Sequence, residues 1–132
     1  VHLDMAGINP NRRIALSMEY IRNYFLKGDF DFWLNLECDV IVPPETLKVL
    51  LSYNSIFEHD WISHTYPARG NDKSTMEGFG CCLFSRKIME ENDFKDAPEE
   101  TTTDGWFWNQ KIKLKDYKVI ELYEIVKGIK HL

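Results

Sequence analysis

The clearest pattern along the chain is an apolar run that is followed at once by two acidic residues. The run Phe32–Leu36 is almost continuously apolar, which is typical of a strand covered on both faces of a parallel sheet. Glu37 and Asp39 come next, and Pro43-Pro44 ends the extended segment before a helix. Because open α/β sheets bind ligands beyond the carboxyl ends of their strands, acids at this point can hold a hard cation. The pattern therefore predicts a central strand, followed either by a cation site or by two solvated turn acids.

Helical and strand-like segments alternate along the rest of the chain. Asn9-Pro10 predicts the start of a helix and Gly28 its end, with one apolar stripe between them formed by Ile14, Met18, Ile21 and Phe25. Later patterns predict helices over 45–51, 87–92 and 104–115, strands over 61–66, 78–86 and 117–122, and polar loops over 67–77 and 95–103. A core position is expected for Phe94, and a structural role for His64 within its strand.

This alternation predicts the α/β class, with a mixed, mostly parallel sheet flanked by helices. Residues 1–132 are long enough for a single domain. The strand that should precede the first helix is reduced to the three residues 1–3. We therefore expect the chain to be the C-terminal part of a larger catalytic domain.

Composition narrows the class of function. The formal net charge is −5 and no basic tract is present, which argues against nucleic acid as a partner. No apolar run is long enough to span a bilayer, and no signal peptide is visible. Cys38, Cys81 and Cys82 have no CxxC spacing, so we expect buried free thiols in a reducing compartment. These features favour a cytoplasmic protein.

Four segments, in this order, resemble the nucleotide-sugar glycosyltransferases of the A-type fold, especially those of family 2. DFWLNLECDVIVPPETLKVLL resembles the strand that ends in a DxD motif, and GFGCCLFSRKIMEENDF resembles the glycine-containing strand with its short helix. TTTDGWFWNQKIKLKDYKV resembles the acceptor-side helix, and GIKHL the late segment that supplies a histidine to the metal. Two positions depart from the family, since Glu37 replaces the first acid of DxD and Thr103 the first acid before Asp104. The family's first nucleotide-binding strands are not seen.

The resemblance implies metal-dependent transfer of a sugar from a nucleotide-sugar donor to a carbohydrate or other hydroxyl acceptor. Asp39, Glu37 and His131 would hold Mn²⁺ or Mg²⁺, which suit oxygen ligands with one imidazole. The ion would neutralise the diphosphate leaving group. Asp104 would be the general base, or only a helix cap.

The remaining candidate residues would contact the two substrates. Gly78 and Gly80, with Glu37 and Asp39, would bind the donor, since glycines allow close backbone approach; a β-bulge is the alternative for the glycines. Trp106 would stack on an acceptor sugar, or pack in the core.

Two other functions stay open at this point. The first is a non-catalytic sugar-binding or assembly module that keeps a degenerate glycosyltransferase fold. The second is metal-dependent phosphoester hydrolysis, which needs further carboxylates or histidines near Asp39. It ranks lower because Asp29 and Asp31 lie at the other end of the strand. An apolar sheet edge would also permit a homo-oligomer.

Overall fold

The first helix begins and ends where the sequence predicts. In the computed structural model, which describes residues 4–68 and 73–132, α1 spans Pro10–Lys27. The Asn9 side chain accepts a hydrogen bond from the Asn11 N–H at 2.9 Å, and Gly28 follows the last turn. The predicted apolar stripe is only half correct. Met18 and Phe25 are buried, whereas Ile14 and Ile21 are 50% and 44% exposed, because the buried face is centred on the side of Ala15 and Glu19.

The later elements follow the predicted order. The other α-helices are α2 (Thr46–Phe57), α3 (Arg86–Glu91) and α4 (Thr103–Phe107), and α4 continues into a π-helical turn, Trp108–Ile112. The strands are β1 (Phe32–Leu36), β2 (Val40–Ile41), β3 (Trp61–Thr65), β4 (Cys81–Ser85), β5 (Val119–Tyr123) and β6 (Lys130–His131). The short strands β2 and β6 and the π-helical turn were not predicted.

The described strands form a four-stranded mixed sheet in the order β1-β4-β3-β5 and a two-stranded sheet of β2 and β6. β4 pairs antiparallel with both β1 and β3, and β3 pairs parallel with β5. Three of the four strands thus run in one direction, in agreement with the predicted α/β class. The prediction of a mostly parallel sheet is nevertheless wrong for the described strands. Two of the three neighbouring pairs are antiparallel, because β4 runs in the opposite direction between β1 and β3.

The predicted central position of β1 is wrong within the described chain. β1 pairs only with β4 and therefore lies at the sheet edge. Its burial agrees with this position, since Trp33 is buried while Leu36 is 41% exposed. An apolar run alone does not distinguish an edge strand from a central one. Here β4, which comes later in the sequence, lies between β1 and β3.

Each face of the four-stranded sheet carries its own core. One core packs Trp61 and Phe84 against α1, α3 and α4, and includes Phe94, which is fully buried as predicted. The other packs Ile62 and Leu83 against Leu50 of α2 and against residues near β6. Within the described residues, none of the helices combines the length and apolar character needed to cross a bilayer.

The predictions for residues 67–77, for residues 1–3 and for the three cysteines have different outcomes. The loop predicted over 67–77 is described only at its ends, where Pro67 and Lys73 form an isolated antiparallel bridge. The strand remnant predicted at 1–3 lies outside the described residues. Cys81 and Cys82 are buried free thiols as expected, but Cys38 is exposed, because it lies in the turn between β1 and β2.

Candidate functional site

Several of the predicted site residues lie beyond the strand ends on one side of the four-stranded sheet, here called the carboxyl edge. The carboxyl ends of β1, β3 and β5 lie at this edge beside the amino end of β4, because β4 runs opposite to the other three. Glu37 follows β1, Tyr66 follows β3 and Gly80 precedes β4. The Glu37 N–H donates a hydrogen bond to the Gly80 carbonyl at 3.1 Å, which extends the β1–β4 ladder by one residue. This is the edge at which α/β sheets bind their ligands.

The small sheet places His131 beside Asp39. Val40 pairs with His131, and the Leu132 N–H donates to the Asp39 carbonyl at 2.8 Å. As a result, His131 Nε2 lies 3.0 Å from Asp39 Oδ2, while His131 Nδ1 lies 2.9 Å from the Leu132 carbonyl oxygen. Two of the three predicted metal ligands are therefore in contact. The two-residue strand β6 is too short for a periodic signal in the sequence, so this pairing was missed.

Glu37 interacts electrostatically with Asp104, Asp39 and His131. The pKa of Glu37 is raised, first by partial burial of its carboxylate and then by the negative charges of Asp104 and Asp39, and His131 opposes the shift. Because the interaction of charges weakens with distance, Asp104, Asp39 and His131 lie within electrostatic range of Glu37. We call Glu37, Asp39, Asp104 and His131 the acidic cluster.

Asp104 lies in the first turn of α4 but is not its cap. Thr102 is the N-cap, and its Oγ1 accepts from the Gly105 N–H at 3.4 Å. Asp104 Oδ1 also accepts from Gly105 N–H, at 2.8 Å, and this bond holds the carboxylate in one orientation. Oδ2 faces Gly78, where an added Cβ would lie 4.0 Å away. The capping role considered for Asp104 in the sequence therefore belongs to Thr102.

Gly80 makes room for Tyr66, a residue that the sequence did not single out. A Cβ on Gly80 would overlap the Tyr66 hydroxyl oxygen. The Tyr66 ring is buried, and burial, followed by the charges of Glu37 and Asp39, raises the pKa of its phenol to about 12. Tyr66 is thus a protonated hydrogen-bond donor beside the acidic cluster. The space next to Gly80 is filled from within the chain, and a donor-binding role for Gly80 stays a prediction.

Trp106 faces a different part of the surface. Residues two apart on a helix point about 200° from each other, so Trp106 and Asp104 lie on opposite sides of α4. Trp106 lines a surface cavity of about 450 Å³ with Asn109 and Gln110, and Lys111 Nζ lies 5.2 Å from its ring centroid. Stacking on an acceptor sugar remains a prediction for Trp106, but that sugar would not lie on the Asp104 side of the helix.

Metal binding by the acidic cluster stays a prediction. Among residues 4–68 and 73–132, no three histidine, cysteine or acidic side chains converge as a metal-binding group. Mg²⁺ sites often use only one or two protein ligands, together with substrate phosphates. Asp39 and His131 offer such a pair, with Glu37 nearby. A closed, all-protein metal site is not formed by the described residues.

Comparisons with known proteins gave no match: no family model, no curated protein and no solved structure is similar to this chain. The family resemblance of the four sequence segments therefore stays a hypothesis.

Proposed function

We propose that this protein transfers a sugar from a nucleotide-sugar donor to an acceptor hydroxyl with the help of Mn²⁺ or Mg²⁺. The observation that carries the proposal is the acidic cluster itself. Glu37, Asp39, Asp104 and His131 come from three distant segments of the sequence. His131 contacts Asp39, and the charges of Asp104, Asp39 and His131 act on Glu37, which follows the carboxyl end of β1. Burial of its carboxylate, and then the negative charges of Asp104 and Asp39, raise the pKa of Glu37, and a bound cation would favour its ionised form.

In this proposal Asp104 is the general base of the reaction. The acceptor oxygen forms a bond to the anomeric carbon, the bond from that carbon to the diphosphate oxygen breaks, and the acceptor proton moves to Asp104. Asp104 Oδ1 is fixed by the Gly105 N–H, so the proton would go to Oδ2, on the side of Gly78. A positioned base of this kind contributes about 10²–10⁴-fold to the rate.

Asp39 and His131 would hold the metal ion, and Glu37 would reach it through water or bind the donor ribose. The ion would supply charge neutralisation for the diphosphate. To bind it, His131 Nε2 must exchange its contact with Asp39 for the metal. A cytoplasmic location and a homo-oligomeric state accompany this proposal as predictions.

A non-catalytic sugar-binding or assembly module is the second candidate function. Two observations favour it. The described residues form no three-ligand metal group, and β1 has a sheet neighbour on only one side. An edge strand of this kind can pair with another strand.

The discriminating experiment measures sugar transfer by the full-length gene product. We would supply a panel of nucleotide sugars with Mn²⁺ and follow both nucleoside diphosphate release and product formation. Asp104→Asn should lower transfer by about 10²–10⁴-fold. Its thermal stability should stay close to that of the wild type, because Thr102 is the cap.

Two control variants complete this test. Asp116→Asn changes an exposed acid elsewhere and should leave transfer unchanged. Thr102→Ala should cost about 1 kcal/mol of stability, as loss of a cap does. Normal transfer by Asp104→Asn would remove the catalytic assignment, and the absence of transfer with every donor would favour the non-catalytic module.

A further inference from the structure

The side chain of His64 ties the end of β3 to the segment that leads into β6. The Val126 N–H donates a hydrogen bond to His64 Nε2 at 3.0 Å, and His64 Nδ1 lies 2.9 Å from the Thr65 carbonyl oxygen. Because a backbone N–H can only donate, Nε2 must be the acceptor, so the ring proton is on Nδ1 and donates to Thr65. The imidazole is therefore neutral, and each of its nitrogens makes one hydrogen bond.

The segment between β5 and β6 is held to the sheet at Val126. The Val126 and Ile129 side chains are buried in the core on the α2 side of the sheet. Glu124 and Gly128 have φ angles of 56° and 94°, so the backbone enters the left-handed region before and after Val126. The path of the chain into β6 therefore depends on how Val126 is held.

β6 connects this segment to the acidic cluster. It begins four residues after Val126 and pairs with β2, and the Leu132 N–H donates to the Asp39 carbonyl at 2.8 Å. This pairing holds His131 Nε2 at 3.0 Å from Asp39 Oδ2. A sheet of two strands with two residues each has little stability of its own. The position of His131 thus depends on the segment before β6, which His64 holds.

Protonation of His64 would break this tie. An imidazolium has two donors and no acceptor, so the Val126 N–H would lose its partner. His64 is only 2% exposed, but it lines a cavity of about 370 Å³ that gives a proton access to the ring. Burial lowers the pKa of His64 from its ordinary value of 6.5, and hydrogen bonding to the Thr65 carbonyl opposes this shift. The bond is therefore intact above pH 6.5 and is lost as the pH falls through the folded-state pKa.

The neighbouring titratable groups come from three elements and from the cavity. Those on the same core are Cys81 before the middle of β4, Tyr53 of α2 and Tyr66, and those that line the cavity are Tyr123, Glu124 and Lys127. Burial raises the pKa of Cys81 to about 11 and that of Tyr66 to about 12, so both stay uncharged at acid pH. Glu124 and Lys127 are of opposite charge, so their effects on His64 oppose each other.

We propose that His64 is a positioning residue for the contact between Asp39 and His131: its neutral ring holds Val126 and β6 in place, and its protonation releases β6 and separates the two side chains. This coupling rests on the hydrogen bonds described above. Its consequence for a bound ion rests on the proposed function.

The test follows amide hydrogen exchange in the full-length protein without metal or substrate. Between about pH 7.5 and pH 5, where histidine titrates, protection of Val126 and Leu132 should fall together by about tenfold or more. The protection factors are corrected for the intrinsic pH dependence of exchange. Protection of Leu122 should stay unchanged, because the β3–β5 pairing does not use the His64 ring. Protection of Val126 and Leu132 that does not change with pH would overturn the proposal.

Two substitutions of His64 distinguish positioning from packing. His64→Gln places an acceptor oxygen near the position of Nε2 and cannot be protonated, so Val126 and Leu132 should stay protected at both pH values. His64→Asn places its polar group near the position of Nδ1, so both amides should exchange quickly at both pH values. Equal exchange in the two variants would overturn the positioning role.

Two further variants identify the group that titrates. His131→Asn and Glu124→Gln each remove another titratable side chain from this region, and both should keep the loss of Val126 protection at low pH. If either variant abolishes that loss, His64 is not the group responsible. The wild-type titration needs no substitution, so it decides the proposal even where a variant fails to fold.

Mn²⁺ titration separates this proposal from the proposed function. At pH 7.5, His64→Asn should weaken Mn²⁺ binding roughly tenfold, while His64→Gln should bind as the wild type does. Coupled, pH-dependent exchange in a wild-type protein that binds no Mn²⁺ would support the positioning role and remove the metal site. Mn²⁺ binding by a wild-type protein whose Val126 and Leu132 amides exchange independently would overturn the positioning role alone.

Discussion

His131 Nε2 lies 3.0 Å from Asp39 Oδ2, although the two residues are 92 positions apart in the sequence. The contact exists because β6 pairs with β2 in a register that aligns Val40 with His131. Backbone pairing thus holds a carboxylate and an imidazole in contact, and in the proposed site both would bind the ion. This relationship is the most direct structural support for the proposed metal site.

We expect weak Mn²⁺ binding that depends on this pair. Asp39→Asn should abolish the binding in titration calorimetry, because it removes the charged ligand, and His131→Asn should weaken it by roughly tenfold or more. Asp116→Asn, which alters an exposed acid away from the cluster, should bind Mn²⁺ as the wild type does. Equal affinity in wild type and Asp39→Asn would remove Asp39 from the site.

Glu37 should make the stability of the protein depend on pH. Its pKa is raised in the folded state, so its carboxyl group favours folding at a pH below its ordinary value of 4.5. This contribution is lost as the pH rises through the folded-state pKa. At pH 7 the ionised group is therefore unfavourable, and Glu37→Gln should raise the melting temperature. The gain should be small, roughly 1–3 °C, because the residue as a whole is exposed and water screens the charges around its partly buried carboxylate.

Thermal melts at pH 4 and pH 7 would check this prediction. The difference between Glu37→Gln and the wild type should be larger at pH 7 than at pH 4. Glu45→Gln, an exposed acid before α2, serves as the matched control and should show no such change. A lower melting temperature for Glu37→Gln at pH 7 would contradict the expected repulsion.

The sequence predicted the positions of helices and strands better than it predicted which strands pair with each other. The period of apolar residues and the caps at Asn9 and Gly28 are local signals, and they located α1 well. The position of β1 depends on β4, which arrives from almost fifty residues later, and no local pattern reports such pairing. The same holds for β6, whose two residues carry His131 to Asp39. Local patterns therefore pointed to acidic and histidine candidates but not to their neighbours. Tyr66 was missed because its packing depends on Gly80, which precedes a different strand.

The three thiols should differ sharply in reactivity. Burial raises the pKa of Cys81 to about 11 and that of Cys82 well above its ordinary value, whereas Cys38 is exposed. The thiolate is the reactive form, so only Cys38 should react quickly with a disulfide reagent at pH 8. The folded protein should release one equivalent of chromophore, and Cys38→Ser should release none until denaturant is added. Rapid release of two or more equivalents from the folded protein would show that β4 is not buried as described.

The packing of Tyr66 against Gly80 should be visible in stability. A methyl group on Gly80 would overlap the end of a buried tyrosine ring, so Gly80→Ala should cost about 1–3 kcal/mol in the free energy of unfolding. Gly78→Ala is the matched control and should cost less. Its added carbon would lie 3.2 Å from the Thr75 carbonyl oxygen, a contact that a small shift relieves.

A second substitution tests whether Tyr66 is the cause of that cost. Tyr66→Leu shortens the side chain, so in this background Gly80→Ala should lose at least about 1 kcal/mol of its penalty, as expected for residues in contact. Urea denaturation of the four proteins, wild type, both single variants and the double variant, gives this coupling energy directly. If Gly80→Ala costs the same in both backgrounds, the hydroxyl of Tyr66 does not occupy the space beside Gly80.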